Sequence, residues 1–304
     1  MAGILDLPVS ITCKLPVECL ENGISSSQKR PVIFITGFRE KNTETFAVPI
    51  QLAHIKGFDV RARNMPDHET REKLLNANVD LWAEELLDYL VRLSEYLGSR
   101  LDIGGFSFGG ALVAYCVHKR PDIFNHVFYA NPATELQWYI RLGSELYKVL
   151  YWLLPSIVLL LSLLSVAWLQ SLSFSLLGIA LAFLTFIFMD RFEFSLGPDY
   201  VHTDDEGNET FYSGIPVKTG SKMPALTDQI WKVIQENPID SSHDISFTFV
   251  RGAKDWGVSH DRMDRLAEDL GDLMHVHNVP NGKHNVLLGM PDLEIEEALE
   301  HFFA

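Results

Sequence analysis

The sequence has little positive charge for its size. Of its 304 residues, 25 are Lys or Arg and 40 are Asp or Glu, which gives a formal net charge of −15. Binding to nucleic acid needs a basic surface that displaces counterions from the phosphates, and the chain has no basic stripe. The same shortage excludes electrostatic docking to anionic lipid. Any attachment to a membrane must therefore be hydrophobic.

Cysteine and metal-binding patterns are also scarce. The only cysteines are Cys13, Cys19 and Cys116, which cannot build a disulfide framework and favour a reducing compartment. No His, Cys or carboxylate residues follow one another at metal-ligand spacing, so neither a metal nor another cofactor is expected. The N-terminal residues lack the basic start and the continuous apolar core of a signal peptide.

One long segment, residues 149–189, contains no charged residue at all. Its two halves, 149–169 and 172–189, are each near the length that crosses a hydrocarbon core of about 30 Å. Trp152 and Trp168 stand near the two ends of the first half, where interfacial aromatic residues are expected. We predict an apolar helical hairpin that contacts a membrane, by spanning it or by dipping into it. The alternatives are a buried lid over a lipid pocket and a contact within an oligomer.

The rest of the chain alternates between strand and helix patterns. Short apolar runs such as "PVIFIT", "RLDIGG", "HVFYANP", "ISFTFVRG" and "LMHVHNV" indicate strands, and apolar residues at helical spacing stand between them. This alternation predicts an α/β fold with a mostly parallel sheet and helices on both faces. We expect residues 1–134 and 225–304 to form the two parts of the core. Residues 135–224, with the hairpin 149–189, would be a cap insertion.

The stretch "GGFSFGG" carries the pattern G-x-S-x-G around Ser107. It follows a predicted strand and opens a predicted helix, the position in which a nucleophilic serine stands on a sharp, strained turn. Bulky side chains at Gly105 and Gly109 would collide with the neighbouring strand and helix. Ser107 is therefore the candidate nucleophile, at the positive end of the helix. The alternative is a glycine-rich turn with a solvated serine.

A nucleophilic serine needs a base and a residue that orients the base. Asp255 comes directly after the strand "ISFTFV", and His284 lies in the loop after the next strand. The order Ser107, Asp255, His284 is the order expected for a nucleophile turn of this kind. We predict that His284 is the general base and that Asp255 orients it.

Other acidic and histidine residues fit these two roles less well. Some acidic residues precede the strand or begin the following helix: Asp240, Asp244 and Asp261. The remaining candidate histidines fall within a strand pattern or are expected at the surface: His260, His275, His277 and His301.

An oxyanion intermediate needs two backbone N–H donors. One is expected from Phe108, directly after the nucleophile. The second is expected from Phe38, because Thr36-Gly37-Phe38 turns away from the strand "VIFIT".

These motifs resemble the α/β-hydrolase superfamily over about residues 30–135 and 225–304. "PVIFITGF" resembles the family's strand and oxyanion turn, "GFSFGG" its nucleophile turn, "VRGAKD" its acid loop and "NGKHN" its histidine loop. "MPDHETREKLL" followed by "LWAEELLDYL" resembles the branch of monoacylglycerol lipases and lysophospholipases. The chain departs from the family in having Thr36-Gly37 where His-Gly is frequent.

The motifs and the resemblance together indicate a membrane-associated serine hydrolase that cleaves carboxylic esters of apolar acyl chains through an acyl-enzyme. The expected partners are a lipid or other acyl-ester substrate and a membrane, contacted through residues 149–189. Arg141, Lys148 and Arg191 flank the hairpin, which favours a cytoplasmic catalytic domain by the positive-inside rule. The alternatives are a thioesterase or amidase with the same triad, and a non-catalytic membrane scaffold that retains the fold.

Overall fold

The computed structural model describes residues 30–38, 43–67, 73–74, 76–169, 172–191, 193–194, 200–203, 209–212, 215–287 and 290–303. Residues 1–29 of the predicted first part of the core lie outside the described residues, and so do Cys13 and Cys19. The third cysteine, Cys116, is free and buried.

The elements alternate in the first part of the chain, as its pattern predicts. They are β1 (Pro31–Ile35), α1 (Ala47–Ile55), β2 (Asp59–Arg63), α2 (Trp82–Leu97), β3 (Leu101–Phe106), α3 (Ser107–Lys119) and β4 (Phe124–Ala130). The insertion contains α4 (Trp138–Leu169), α5 (Leu172–Arg191), β5 (Glu193–Phe194), β6 (Tyr200–Thr203), β7 (Glu209–Tyr212) and β8 (Ile215–Pro216). There follow α6 (Val217–Gly220), α7 (Met223–Glu236), β9 (Ser246–Gly252), α8 (Asp261–Leu270), β10 (Met274–Val279) and α9 (Asp292–Leu299).

Six strands form the central sheet, in the order β2-β1-β3-β4-β9-β10. Every neighbouring pair in it is parallel, which confirms the predicted α/β class. In a parallel sheet the carboxyl ends of the strands lie along one edge. The loops that follow β1, β3, β4, β9 and β10 therefore meet at that edge.

Both faces of the sheet are covered by helices. In β1, Ile33 and Ile35 belong to the hydrophobic cluster that includes α2, α3, α7 and α8. The alternate residues Val32 and Phe34 belong to a second cluster with α1 and α9. A strand that is buried on both faces has a continuous apolar sequence, which is why "PVIFI" shows no polar alternation.

The insertion forms a helical hairpin. Helix α4 is 32 residues long and continues through Pro155, and α5 is 20 residues long. The two helices run antiparallel, because the Tyr147 hydroxyl donates to the Met189 carbonyl at 2.8 Å and the rings of Tyr151 and Phe186 lie 5.1 Å apart. The polar stretch after the hairpin contains two small antiparallel sheets, β5 with β8 and β6 with β7.

Candidate active site

Ser107 is the first residue of α3 and directly follows β3. Its φ of 51° lies in the left-handed region, which residues other than glycine rarely adopt. A Cβ at position 109 would lie 2.2 Å from the Thr36 carbonyl oxygen, so only glycine lets α3 start this close to β1. The backbone thus has the strained turn that the motif predicts.

The structure brings the three predicted triad residues together. Ser107 Oγ lies 2.9 Å from His284 Nε2. His284 Nδ1 lies 3.0 Å from Oδ1 and 2.9 Å from Oδ2 of Asp255. A carboxylate only accepts hydrogen bonds, so Nδ1 carries the imidazole proton and Nε2 is left to accept from Ser107.

Asp255 is held by the loop that follows β9. Its side chain is 1% exposed, whereas that of His284 is 25% exposed. The N–H groups of Gly257 and Val258 donate to Asp255 Oδ1 at 2.7 and 3.1 Å. These bonds compensate the carboxylate for the water that it has lost, and they fix its orientation toward His284.

The two predicted oxyanion donors belong to segments that meet beside Ser107. A Cβ at Gly37 would lie 2.8 Å from Cδ1 of the Phe106 ring and 3.2 Å from Ser107 Cβ, so a side chain at this position would crowd the nucleophile turn. Phe108 is the second residue of α3, where the backbone N–H has no acceptor within the helix. The rings of Phe38 and Phe108 lie 6.5 Å apart. The use of their N–H groups as an oxyanion hole stays a prediction.

Solved structures share this architecture, although no protein-family model and no curated protein sequence matches the chain. One of two metagenome-derived lipolytic enzymes matches with a TM-score of 0.60 at 13% identity, over 90% of this chain and 94% of the other. A monoacylglycerol lipase from Paleococcus ferrophilus matches with 0.55 at 17%, over 90% and 92%. A carboxylesterase from Nitrososphaera gargenis matches with 0.52 at 16%, over 90% and 89%.

The chain has the α/β-hydrolase fold. Identities this low establish the fold alone, and because one fold supports many activities, the activity has to be argued from the site. Within this α/β-hydrolase fold, Ser107, Asp255 and His284 follow β3, β9 and β10, as their positions after predicted strands indicate.

The insertion begins directly beside the loop that carries Asp255. Leu136 forms a β-bridge with Val258. The backbone N–H of Gln137 donates to the Gly257 carbonyl at 3.3 Å, and its side-chain amide donates to the Val258 carbonyl at 3.0 Å. The two residues directly before α4 are thus fixed to the acid loop of the α/β-hydrolase core, a contact that the sequence did not predict.

Two aromatic rings lie beside His284. The ring centroid of Phe106 is 5.3 Å from that of the imidazole, and the centroid of Trp256 is 6.0 Å from it. Phe106 is buried, whereas Trp256 is 45% exposed. The His284 imidazole is therefore flanked by two aromatic rings, and the Trp256 ring also faces solvent.

The other candidate histidines have partners elsewhere. The rings of His275 and His301 lie 4.1 Å apart, and His277 Nε2 lies 3.5 Å from Glu294 Oε1 in α9. His260 is half-buried rather than at the surface, and burial lowers its pKa. Its Nε2 lies 3.3 Å from the Gly252 carbonyl oxygen.

The competing acidic residues also stand apart from the base. Asp240 accepts a hydrogen bond from the N–H of Ser242 at the start of a short helical turn before β9. Asp244 also precedes β9, and Asp261 is the first residue of α8. In the part of the chain that the structure describes, no group of three or more His, Cys, Asp or Glu side chains is placed to hold a metal ion.

Proposed function

We propose that the protein is a serine hydrolase that cleaves carboxylic esters through an acyl-enzyme. The observation that carries this proposal is the continuous line from Asp255 through His284 to Ser107, with contacts of 2.9 Å on both sides of the imidazole. A serine hydroxyl is a weak nucleophile until a neighbouring base accepts its proton. The strained backbone of Ser107 supports the same role, because such conformations are retained where a site needs them.

The first half of the reaction forms the acyl-enzyme. Ser107 Oγ bonds to the ester carbonyl carbon while its proton passes to His284 Nε2, and Asp255 stabilises the imidazolium that results. The carbonyl oxygen becomes an oxyanion held by the N–H groups of Phe38 and Phe108. The carbon–oxygen bond to the alcohol then breaks, and His284 returns the proton to the departing alcohol.

The second half releases the acid. A water molecule gives a proton to His284 Nε2 while its oxygen bonds to the acyl carbon. The bond to Ser107 Oγ breaks, and Oγ takes the proton back from His284. One ester and one water are consumed, one alcohol and one acid are formed, and the side chains return to their starting state.

An apolar acyl chain is the substrate class that the surroundings favour. The Phe38 ring in the turn beside Ser107 is half-buried and packs on the fully buried rings of Phe108 and Trp82. The Trp256 ring beside His284 is 45% exposed, so two aromatic rings near the triad can contact a substrate. Each methylene that leaves water for such surroundings gains about 0.8 kcal/mol. The solved structures described above as a lipolytic enzyme and a monoacylglycerol lipase support the same class.

We also propose that the protein binds a membrane through the hairpin. Among the described residues, one helical segment, Trp138–Leu161, is long and apolar enough to cross a bilayer, with 24 residues and a mean hydropathy of 1.4. The part of α4 without charged residues, 149–169, measures about 32 Å at 1.5 Å per residue, against a hydrocarbon core of about 30 Å. The core helix of a water-soluble protein can meet the same criteria as Trp138–Leu161. Such a helix would be mostly buried, whereas Trp138–Leu161 is 11% buried.

The orientation that we propose places the catalytic core in the cytoplasm. Arg141 and Lys148 stand in the part of α4 nearest the core, and the positive-inside rule assigns such residues to the cytoplasmic side. A chain with few cysteines is consistent with that reducing compartment. Protease protection in sealed vesicles tests the orientation, because a cytoplasmic core is digested without detergent.

A hydrolysis screen tests the activity. Glycerolipids, short-chain esters, thioesters and amides are offered to the parent and to Ser107→Ala, and a fluorophosphonate probe is used to label both. We expect ester hydrolysis and labelling in the parent, and loss of both by several orders of magnitude in the folded variant. Labelling that persists in Ser107→Ala refutes the assignment. A parent that neither labels nor hydrolyses any substrate supports the membrane scaffold, and preference for a thioester or amide supports those enzymes.

A further inference from the structure

Asn131 directly follows β4, and no motif in the sequence singles it out. It is 0% exposed. Its φ of 41° lies in the left-handed region, which Asn adopts more readily than most residues other than glycine. A buried polar residue in such a conformation persists only where its surroundings hold it there.

The Asn131 side chain joins the histidine loop to the end of the acid strand. Its Nδ2 group donates to the carbonyl oxygens of Lys283 at 2.9 Å and His284 at 2.7 Å. Its Oδ1 accepts from the N–H of Gly252, the last residue of β9, at 2.7 Å. One buried amide thus contacts the segments that carry the base and the acid.

These partners permit only one orientation of the amide. The two carbonyl oxygens can only accept and the Gly252 N–H can only donate, so exchanging the nitrogen and oxygen of Asn131 would break all three bonds. Aspartate has the same shape but presents carboxylate oxygens to the two carbonyls, where it can only repel them. Among residues of this size, only asparagine satisfies all three partners.

The backbone next to Asn131 reaches the third segment of the triad. The Ala133 N–H donates to the Ser107 carbonyl at 2.7 Å. The Asn131 N–H donates to the Val250 carbonyl in β9 at 3.0 Å. Residues 131–133 therefore bond to the nucleophile turn, the acid strand and the histidine loop.

We propose that Asn131 is a positioning residue that holds the His284 loop at hydrogen-bond distance from Ser107 and Asp255. The inference rests on the proposed function, since it assigns Asn131 to the same triad. The bond to the His284 carbonyl fixes the backbone from which the imidazole projects. A displacement of about 1 Å in a catalytic group costs on the order of 100-fold in rate.

Two substitutions distinguish the role of the Asn131 amide from the role of its backbone conformation. Asn131→Gly removes the amide and tolerates the positive φ. Asn131→Asp keeps the shape and the bond from Gly252 but loses both donors. The matched control is Asn237→Ala, because the Asn237 side chain also donates to a backbone carbonyl, that of Val233 at 2.8 Å, but at the end of α7 and outside the triad segments.

Activity is measured per active site, counted by fluorophosphonate labelling taken to completion. We expect kcat to fall about 10- to 100-fold in Asn131→Gly and Asn131→Asp, with KM within about twofold. The midpoint of the pH–kcat profile should shift as well, since the imidazole loses its fixed partners. Asn237→Ala should keep kcat and the profile even if its melting temperature falls. If kcat per site and the profile are unchanged in both Asn131 variants, Asn131 is structural only and the proposal is wrong.

A spectroscopic measurement keeps the proposal testable if the parent has no activity. In protein with ¹⁵N-labelled histidine, the Nδ1–H proton of His284 bound to Asp255 should give a low-field resonance that His284→Gln identifies. We expect this resonance to broaden or disappear in Asn131→Gly and to persist in Asn237→Ala. Its persistence in Asn131→Gly overturns the positioning role. An inactive parent that keeps the resonance overturns the proposed function alone.

Discussion

Helices α3 and α4 are both rich in apolar residues and have opposite surroundings. In α3, every residue from Ser107 to His118 is buried. In α4, Trp152 is 68% exposed, Leu160 is 57% exposed and Leu161 is 60% exposed. Helix α3 is covered by the sheet and by α2 and α7, whereas much of α4 has no protein cover within the described residues. An apolar sequence therefore does not by itself say which medium surrounds a helix.

The difference has an energetic consequence. Full burial of a leucine side chain is worth about 1.5–3 kcal/mol relative to exposure in water. In α3 this free energy stabilises the core. In α4 it becomes available only if another apolar phase covers the exposed side chains, and we propose that the bilayer does so. Core variants should then affect all substrates, whereas hairpin variants should affect only those that reside in a membrane.

The largest effect is expected for the acid in the core. Asp255→Asn should lower kcat about 10³- to 10⁴-fold on long-chain and short-chain esters alike, because the asparagine amide favours the wrong histidine tautomer. Asp261→Asn should stay within about twofold, since Asp261 only begins α8. Steady-state kinetics of both variants check this. Equal losses, or a loss confined to long chains, would contradict both the assignment and the comparison.

The same substitution in each helix tests their surroundings directly. Leu112 in α3 is 0% exposed, so Leu112→Lys buries an unpaired ammonium and should destabilise the core by about 5 kcal/mol or more. Leu160→Lys should leave the melting temperature in detergent within about 2 °C. It should weaken binding to vesicles by about 3 kcal/mol if its site reaches the bilayer centre. Unfolding by Leu160→Lys would show that α4 is covered by protein, as a buried lid or an oligomer contact requires.

His118, near the end of α3, should make the stability of the core depend on pH. Its Nδ1 lies 2.8 Å from the Asn237 carbonyl oxygen. Among the described residues its buried Nε2 has no hydrogen-bond partner, so a proton on Nε2 would have no acceptor there. Burial lowers the pKa of His118 from 6.5 to about 4. The neutral form is the one that folding favours, so this stabilisation is complete above pH 6.5 and is lost as the pH falls through about 4.

We therefore expect the free energy of unfolding to drop by about 3 kcal/mol over that range. His118→Gln cannot take up the proton, and its unfolding curves should show a drop smaller by that amount. His301→Gln, at an exposed site, is the control. Equal pH dependence in the parent and in His118→Gln would show that other groups cause the drop.

Removal of the hairpin should have the smallest effect on the rate of catalysis, and that effect should be confined to long-chain lipid substrates. The Tyr147 hydroxyl lies 2.8 Å from the Met189 carbonyl, so a short polar linker can join the chain across a deletion of residues 149–189. We expect the shortened protein to leave the membrane fraction. It should hydrolyse long-chain lipids about 10- to 100-fold more slowly and a water-soluble ester at nearly the parent rate. If the shortened protein stays on membranes, or if it is folded and loses equal activity on both substrates, the hairpin does not deliver lipid to the core.

The core of the site could be predicted because its residues follow strict local rules. Ser107 stands between glycines that the sharp turn demands, and Asp255 and His284 each follow an apolar strand. Parallel pairing brings such strand ends to one edge, so sequence position was enough to predict their proximity. Asn131 could not be found in this way, since an asparagine before a proline has many uses and its three partners come from distant segments.

The start of the apolar helix also could not be predicted from the sequence. Helix α4 and its candidate span begin at Trp138, before the charge-free segment that starts at residue 149. The intervening charges conceal the helix, but they are paired: Arg141 with Asp228, and Lys148 with Glu145 at 2.6 Å. The partner of Arg141 becomes visible only after folding, because Asp228 lies in α7 on the far side of the insertion.

The pairing of β4 with β9 governs the order in which the protein can fold during synthesis. β4 ends at Ala130 and its neighbour in the sheet starts only at Ser246, so the whole insertion leaves the ribosome between the two. Until β9 emerges, the edge of β4 is open and able to pair with another chain. Asp255 and His284 arrive later still. The nucleophile turn is thus synthesised long before its acid and its base. The apolar hairpin must therefore be covered by another apolar phase before the triad can assemble.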